Sequence, residues 1–256
     1  MTSHPTVITR EVSASIERCE LTHVARTPID VARARAQHDA YERTIESVGW
    51  KVHRLPAPDD MPDAVFVEDT AFVLDELAII TRPGAESRRR ETTLVSDVLR
   101  SYRPLVAILA PGTLDGGDIL TIGKRIFVGV GGRSNEAGFK QLRAMVKSLG
   151  YTAEPVEFRG CLHLKTATTL VADDTVVVNP AWTDASQFGA LRTIEVHPDE
   201  PFAANTLRLE DSVIYPAEHV RTRERLEKAG MKVYPVEVDE LAKAEGSVTC
   251  FSLIVR

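Results

Sequence analysis

Residues 117–131 read GDILTIGKRIFVGVG, and this stretch decides the fold. A β-branched run meets the polar turn Gly123-Lys124-Arg125 and is followed by a second apolar run. Short β-branched runs on either side of such a turn signal a hairpin. The same plan recurs three times. EDTAFVLDELAIITRP starts at Glu68 and turns at Asp75-Glu76; KTATTLVADDTVVVNP starts at Lys165 and turns at Ala172-Asp173-Asp174; ANTLRLEDSVIYP starts at Ala204 and turns at Glu210-Asp211. The opening positions Asp69, Asp118, Thr166 and Asn205 lie 49, 48 and 39 residues apart. A fifth strand, TCFSLIVR, begins at Thr249, 44 residues after Asn205, and has no partner behind it. Thr6-Val7-Ile8-Thr9 near the start supplies one, so the two ends of the chain pair and close a ring.

Between the hairpins, residues 29–49, 87–102, 135–150 and 217–230 carry apolar side chains at helical spacing, and a weaker helical stretch starts at Trp182. Each leads into a further strand: KVHRLP, LVAILA, TAEPVEF, TIEVHP and KVYPVEV. The unit is strand-strand-helix-strand, five times over. A repeat of about 40 to 50 residues points to a propeller. The expectation is a five-bladed α/β propeller, with residues 1–256 as a single catalytic domain. A lone mixed sheet is the alternative.

The formal net charge of −6 argues against a nucleic-acid partner, which needs a basic face. No apolar run is long enough to span a bilayer, and MTSHPTVITREV lacks the pattern of a signal peptide, so no membrane partner and a cytoplasmic location are expected. Three cysteines, Cys19, Cys161 and Cys250, do not read as a disulfide framework. They are three small core residues, or at least one is a working thiol.

Ring closure has a chemical consequence. The polar turns that open each unit converge at one end of the central axis. Cys250, after EGSVT, and His163, in CLHLKT, then become neighbours. A thiol beside an imidazole is the arrangement of covalent catalysis with acid/base help; a sheet-facing cysteine and a core histidine are the plainer reading of each alone. Cys161 and His163 form a C-x-H pair, too few ligands for zinc, so neither a metal nor another cofactor is expected. Asp63, Glu68, Asp69, Asp115 and Asp118 collect at the unit starts. Carboxylates raise the pKa of a nearby thiol, which makes sense if the substrate is a cation such as a guanidinium, matched by carboxylates in pairs. Solvated turn acids are the alternative, although PDAVFVED sets Phe66 between the acids, where its ring suits a guanidinium face. Arg88 and Arg133 follow the second strands of their units and suit a carboxylate clamp.

PDAVFVED, ITRPGAESRR, LDGGDIL, GRSN, HLKT and SVTC together resemble the dimethylarginine dimethylaminohydrolase family of the guanidino-group-modifying (pentein) superfamily. The motifs run from about residue 62 to residue 250. The resemblance implies hydrolysis of N-methylated arginine to citrulline and dimethylamine through a covalent thiouronium on Cys250, with His163 as acid/base. It implies that Asp69 and Glu68 hold the guanidinium, that Asp63 takes the α-amino group, and that Arg88 and Arg133 take the α-carboxylate. Leu21 and Val248 supply backbone contacts, and Asp115 orients His163 or the guanidinium. Arginine deiminase and amidinotransferase activities are alternatives on the same scaffold. A non-catalytic ring-shaped binding module is the alternative of another class. The oligomeric state, a homodimer included, stays open.

Overall fold

A computed structural model describes residues 5–256; the first four residues of MTSHPTVITREV lie outside the described part. In chain order the elements begin with β1 (Thr6–Arg10), α1 (Val31–Ser47) and β2 (Lys51–Leu55). Next come β3 (Ala71–Val73), β4 (Ala78–Ile80), α2 (Thr92–Leu99) and β5 (Leu105–Ala107). The following unit holds β6 (Ile119–Ile122), β7 (Arg125–Gly129), α3 (Glu136–Lys147) and β8 (Thr152–Val156). A single helical turn, α4 (Leu164–Ala167), leads to β9 (Thr168–Ala172), β10 (Thr175–Val178) and β11 (Arg192–Glu195). The last stretch holds β12 (Leu207–Leu209), β13 (Ser212–Pro216), α5 (Val220–Lys228), β14 (Lys232–Val236), α6 (Asp239–Ala242) and β15 (Leu253–Val255).

Among the described residues, fifteen strands form five three-stranded sheets of one pattern. A first strand pairs antiparallel with a second, which pairs parallel with a third. The exception in chain order is the expected one: β15 pairs antiparallel with β1, with Val7 opposite Ile254, and β1 pairs parallel with β2. The two ends of the chain share one blade, and the five-bladed α/β propeller is the fold.

The helices are set by local chemistry. Asp30 caps α1 by accepting from the Arg33 N–H at 3.0 Å, and Gly49 follows its end with φ +92°. Asn135 caps α3 by accepting from Gly138. Two expected helices are shorter than their patterns. Residues 86–91 form a 3₁₀ turn, so α2 starts only at Thr92. The stretch after Trp182 keeps just a 3₁₀ turn, Ala185–Phe188.

The strand-opening residues are not themselves in strands. Val67–Thr70, Gly116–Asp118, Leu164–Ala167 and residues 249–251 each make a turn before their strand begins. These turns gather at the axis. The one bearing Cys250 is fixed by packing: Phe251 is fully buried and meets the Tyr41 ring edge-on at 5.4 Å. Such an aromatic pair adds about 0.5–1.5 kcal/mol beyond burial. The Tyr41 hydroxyl donates to the Val248 carbonyl at 2.9 Å, anchoring the approach to the same turn.

Candidate active site

Cys250 lies half-buried on its turn. Its N–H donates to the Ser247 carbonyl at 2.9 Å, and the Ser247 N–H points back to Sγ at 3.4 Å. Its carbonyl accepts from the Glu68 N–H at 3.1 Å, joining the last blade to the β3–β5 blade. Cys19 and Cys161 are buried, with burial pushing their thiols up to about 11 and about 12.

His163 is the residue before α4, and its ring is held by acids from two other blades. Nε2 lies 3.1 Å from Asp115 Oδ2 and 3.8 Å from Asp69 Oδ1. Asp115 also accepts from the Gly84 N–H at 2.8 Å, so it orients His163 and does not line the pocket. Gly117 is required here, because a Cβ at that position would sit 2.6 Å from His163 Nδ1. Asp118 accepts from the Leu164 N–H at 3.0 Å and from Ser134 Oγ at 2.6 Å, fixing the turn behind the ring.

Burial by itself lowers the pKa of His163, but Asp69, the hydrogen bond to Asp115, and Asp118 outweigh it and raise the group to about 9. The imidazole is therefore protonated at neutral pH. Asp69 runs against its burial: His163 and Arg88 hold it down at about 2. Cys250 is pushed up to about 12 by burial, then by Glu68 and Asp69. A neutral thiol and an imidazolium thus line the same pocket, and a cation placed against the thiol would favour its thiolate.

One small pocket brings together Cys250, His163, Asp69, Asp63, Phe66, Arg88 and Arg133. Its free volume is about 20 Å³, room for a single water. Glu20 lines it, and the segment that follows Glu20 is tied to two other lining residues, Glu245 and Arg133. The Thr22, His23 and Val24 N–H groups all donate to the Glu245 carboxylate, at 2.6, 2.5 and 3.0 Å, and Arg133 donates to Thr22 Oγ1 at 3.1 Å. Asp63 accepts from the Glu20 N–H with both oxygens, at 3.1 and 3.2 Å, and burial pushes it up to about 6.

Three of the expected site residues sit differently. Glu68 faces away from this pocket: its oxygens take Lys165 Nζ at 2.5 Å and Thr249 Oγ1 at 2.9 Å. It borders instead a cavity of about 680 Å³ along the axis, which includes neither Cys250 nor His163. Val248 is fully buried with its carbonyl given to Tyr41, so it does not line the pocket; Ala244, Glu245 and Gly246 do. Leu21 packs against the core while its neighbour Glu20 lines the pocket. Arg88 does line it, but is largely committed: it bonds Asp69 at 2.7 Å, Glu91 at 3.0 Å and the Phe66 carbonyl at 2.9 Å. Arg133, half-buried, is the freer cation.

The sequence reading also missed Gly246, whose hypothetical Cβ would fall 2.1 Å from the Phe66 ring; the EGSVT turn was its only signal. Asp69, Asp115 and His163 offer ligand atoms within 4.8 Å of one another. Those groups already have partners: Asp69 pairs with Arg88 at 2.7 Å, and His163 Nε2 bonds Asp115 at 3.1 Å.

A family model described as arginine deiminase matches residues 56–203, more than half of the chain. The N(G),N(G)-dimethylarginine dimethylaminohydrolase of Streptomyces coelicolor is 40% identical over 250 residues, 97% of this chain and 96% of that one. The chain belongs to the dimethylarginine dimethylaminohydrolase family. The family model spans Asp63 to His163 but stops short of Cys250; the full-length likeness covers the rest. In structure, a Pseudomonas aeruginosa enzyme of this family, a cysteine-to-serine variant complexed with citrulline, superposes with a TM-score of 0.94 at 33% identity, covering 98% of this chain and 99% of that one. A family adduct of a histidine-to-glycine variant with S-methyl-L-thiocitrulline gives a TM-score of 0.92 at 32% identity, over 98% and 100% of the two chains. Among the described residues, no helix is long and apolar enough to cross a membrane.

Proposed function

We propose that this chain hydrolyses N-methylated arginine to citrulline and dimethylamine, or methylamine, as one catalytic propeller domain. The observation that carries the reading is the single pocket holding Cys250, an acid-flanked His163 and Asp69, in a chain whose relatives are crystallised with citrulline and thiocitrulline.

The guanidinium lies against Asp69 and the Phe66 ring, and its charge lowers the cost of ionising Cys250. The thiol gives its proton to solvent, and the thiolate attacks the guanidinium carbon. The C–N bond to the methylated nitrogen breaks as His163 donates its proton to the leaving amine, leaving a thiouronium on Cys250. Neutral His163 then takes a proton from water, the hydroxide adds to the same carbon, and the C–S bond breaks as the added hydroxyl gives its proton to the departing sulfur, releasing citrulline and restoring the Cys250 thiol and protonated His163. Asp115 keeps His163 in place, and Asp69 and Asp115 favour its protonated form. At the other end of the substrate, Asp63 takes the α-ammonium. Arg133, released from Thr22, takes the α-carboxylate, with Arg88 bracing Asp69. Three unpaired thiols suit a reducing compartment, and we place the enzyme in the cytoplasm. Arginine deiminase activity is the second reading, favoured by the family-model description.

The test is to incubate the protein with dimethylarginine, monomethylarginine and arginine and quantify citrulline against a Cys250→Ala control. Citrulline from the methylated substrates alone supports the proposal. Citrulline mainly from arginine makes the chain a deiminase.

A further inference from the structure

Lys165, in the HLKT motif, has no part in the chemistry above, yet it lies within a buried chain of contacts that ends at the nucleophile. Lys165 Nζ donates to Glu68 Oε1 at 2.5 Å. The other oxygen of Glu68 accepts from Thr249 Oγ1 at 2.9 Å, and that hydroxyl lies 4.0 Å from Cys250 Sγ. Asn205 locks the arrangement: its Nδ2 donates to Thr249 Oγ1 at 3.0 Å and to the Lys165 carbonyl at 3.2 Å, while its Oδ1 accepts from the Thr249 N–H at 3.0 Å. Glu68, Thr249 and Asn205 are all buried.

We propose that Lys165 is a positioning residue for the nucleophile: its ammonium neutralises Glu68, a carboxylate that would otherwise stand as uncompensated charge beneath Cys250 and suppress its ionisation. The other charged groups lining the thiol's pocket are Asp69 and His163, together with Glu20, Asp63, Arg88, Arg133 and Glu245. Of these, Asp69 is matched by Arg88 and His163. Glu68 has only one cation, Lys165, among the described residues. Its compensation is therefore a separate device from the pocket's own charge balance. The Asn205 clamp keeps the Thr249 hydroxyl aimed at Glu68, so the charge is held at a fixed place.

The proposal rests on Cys250 being the working thiol, and its test uses no substrate, so it stands apart from the choice among arginine derivatives. Alkylation of Cys250 by iodoacetamide, a neutral reagent, is followed by mass spectrometry between about pH 7 and about pH 9.5, where the rate reports the thiolate fraction. Lys165→Met should raise the apparent pKa by about one unit, slowing alkylation about tenfold at fixed pH. Lys165→Met combined with Glu68→Gln should return the rate to within about threefold of wild type. Glu68→Gln alone should speed alkylation, and this arm stands even if Lys165→Met does not fold. An unchanged rate in Lys165→Met overturns the proposal. So does a slow single variant that the double variant fails to rescue, or a Glu68→Gln variant no faster than wild type.

Discussion

Replacing Asp115 by Asn removes one negative charge from His163 while preserving the side chain's size and an acceptor for Gly84. His163 Nε2 lies 3.1 Å from Asp115 and 3.8 Å from Asp69, and burial alone would lower the group's pKa, yet it is held at about 9. An opposite charge at such range is worth about 1–3 units, and Asp69 remains in the variant. The imidazole should therefore titrate about 1–2 units lower, between about 7 and 8. NMR of histidine-labelled protein across the range reads this directly. The alkaline limb of kcat, where His163 ceases to be an acid, should move down with it. A His163 titration indifferent to the substitution would refute the electrostatic account; a moved titration with an unmoved kcat limb would remove His163 as the acid.

The same shift is a stability statement. The folded pKa of His163 lies above its ordinary 6.5, so its protonation stabilises the fold in full below about pH 6.5, and that contribution is lost as pH rises through about 9. At about 1.4 kcal/mol per unit, the step is on the order of 3 kcal/mol. The depressed Asp69 reflects part of the same charge pair and is not added to it. Asp115→Asn should remove about half of this pH dependence, so unfolding free energies at about pH 6 and about pH 10 should lie closer together in the variant than in wild type.

Cys250→Ser should form no citrulline yet still bind dimethylarginine by calorimetry, since the lost sulfur serves the covalent step; retained turnover would sink the mechanism. Gly117→Ala would place a Cβ 2.6 Å from His163 Nδ1, and the displaced ring should cost at least about tenfold in kcat with the circular dichroism of the fold kept; a wild-type rate would show that the ring tolerates the shift. Glu245→Ala frees the Thr22, His23 and Val24 N–H groups, so trypsin should cut faster at Arg26, whereas an unchanged rate of cleavage would mean that the segment is held without this carboxylate. Asp63, pushed up to about 6, loses its charge as pH falls, so KM for dimethylarginine should climb below about pH 6, while an analogue lacking the α-amino group shows no such limb; a flat KM down to about pH 5 would take Asp63 out of the role.

The architecture was legible because its signals are local and repeated. Each hairpin announces itself by alternation around a polar turn, and the split blade follows from an unpaired strand at either end of the chain. Convergence of Cys250, His163 and Asp69 then follows from ring geometry. The direction in which each charge points was not legible. Glu68 and Asp69 are adjacent, but they lie on a 3₁₀ turn, Val67–Thr70, so one faces the axial cavity and the other the pocket. No spacing rule separates them without knowing that the turn precedes the strand. The placing of Val248 has a related cause: residues 249–251 turn where an extended strand was expected, and the Val248 carbonyl is given to Tyr41.

What those side chains do in place of the expected contacts explains why the site and the fold are hard to separate. Each buried carboxylate at the axis bonds a different blade from its own. Asp69 accepts from Gly117, Asp115 takes His163, Asp118 accepts from Leu164, and Glu68 takes both Lys165 and Thr249. Asn205 ties in the remaining blade. An unpaired buried charge costs several kcal/mol, so these partners are obligatory wherever the acids are buried. The bonds that satisfy the acids therefore set the angular register of all five blades, and they also fix the ring of His163 and the charge beneath Cys250. It follows that removing one member of a pair should damage stability and catalysis together, whereas Arg133 and Glu245, at the pocket rim, should affect binding with little cost to the fold. A set of variants that scattered across both measures without that division would show that the axial charges are decoration on a ring held by its apolar cores alone.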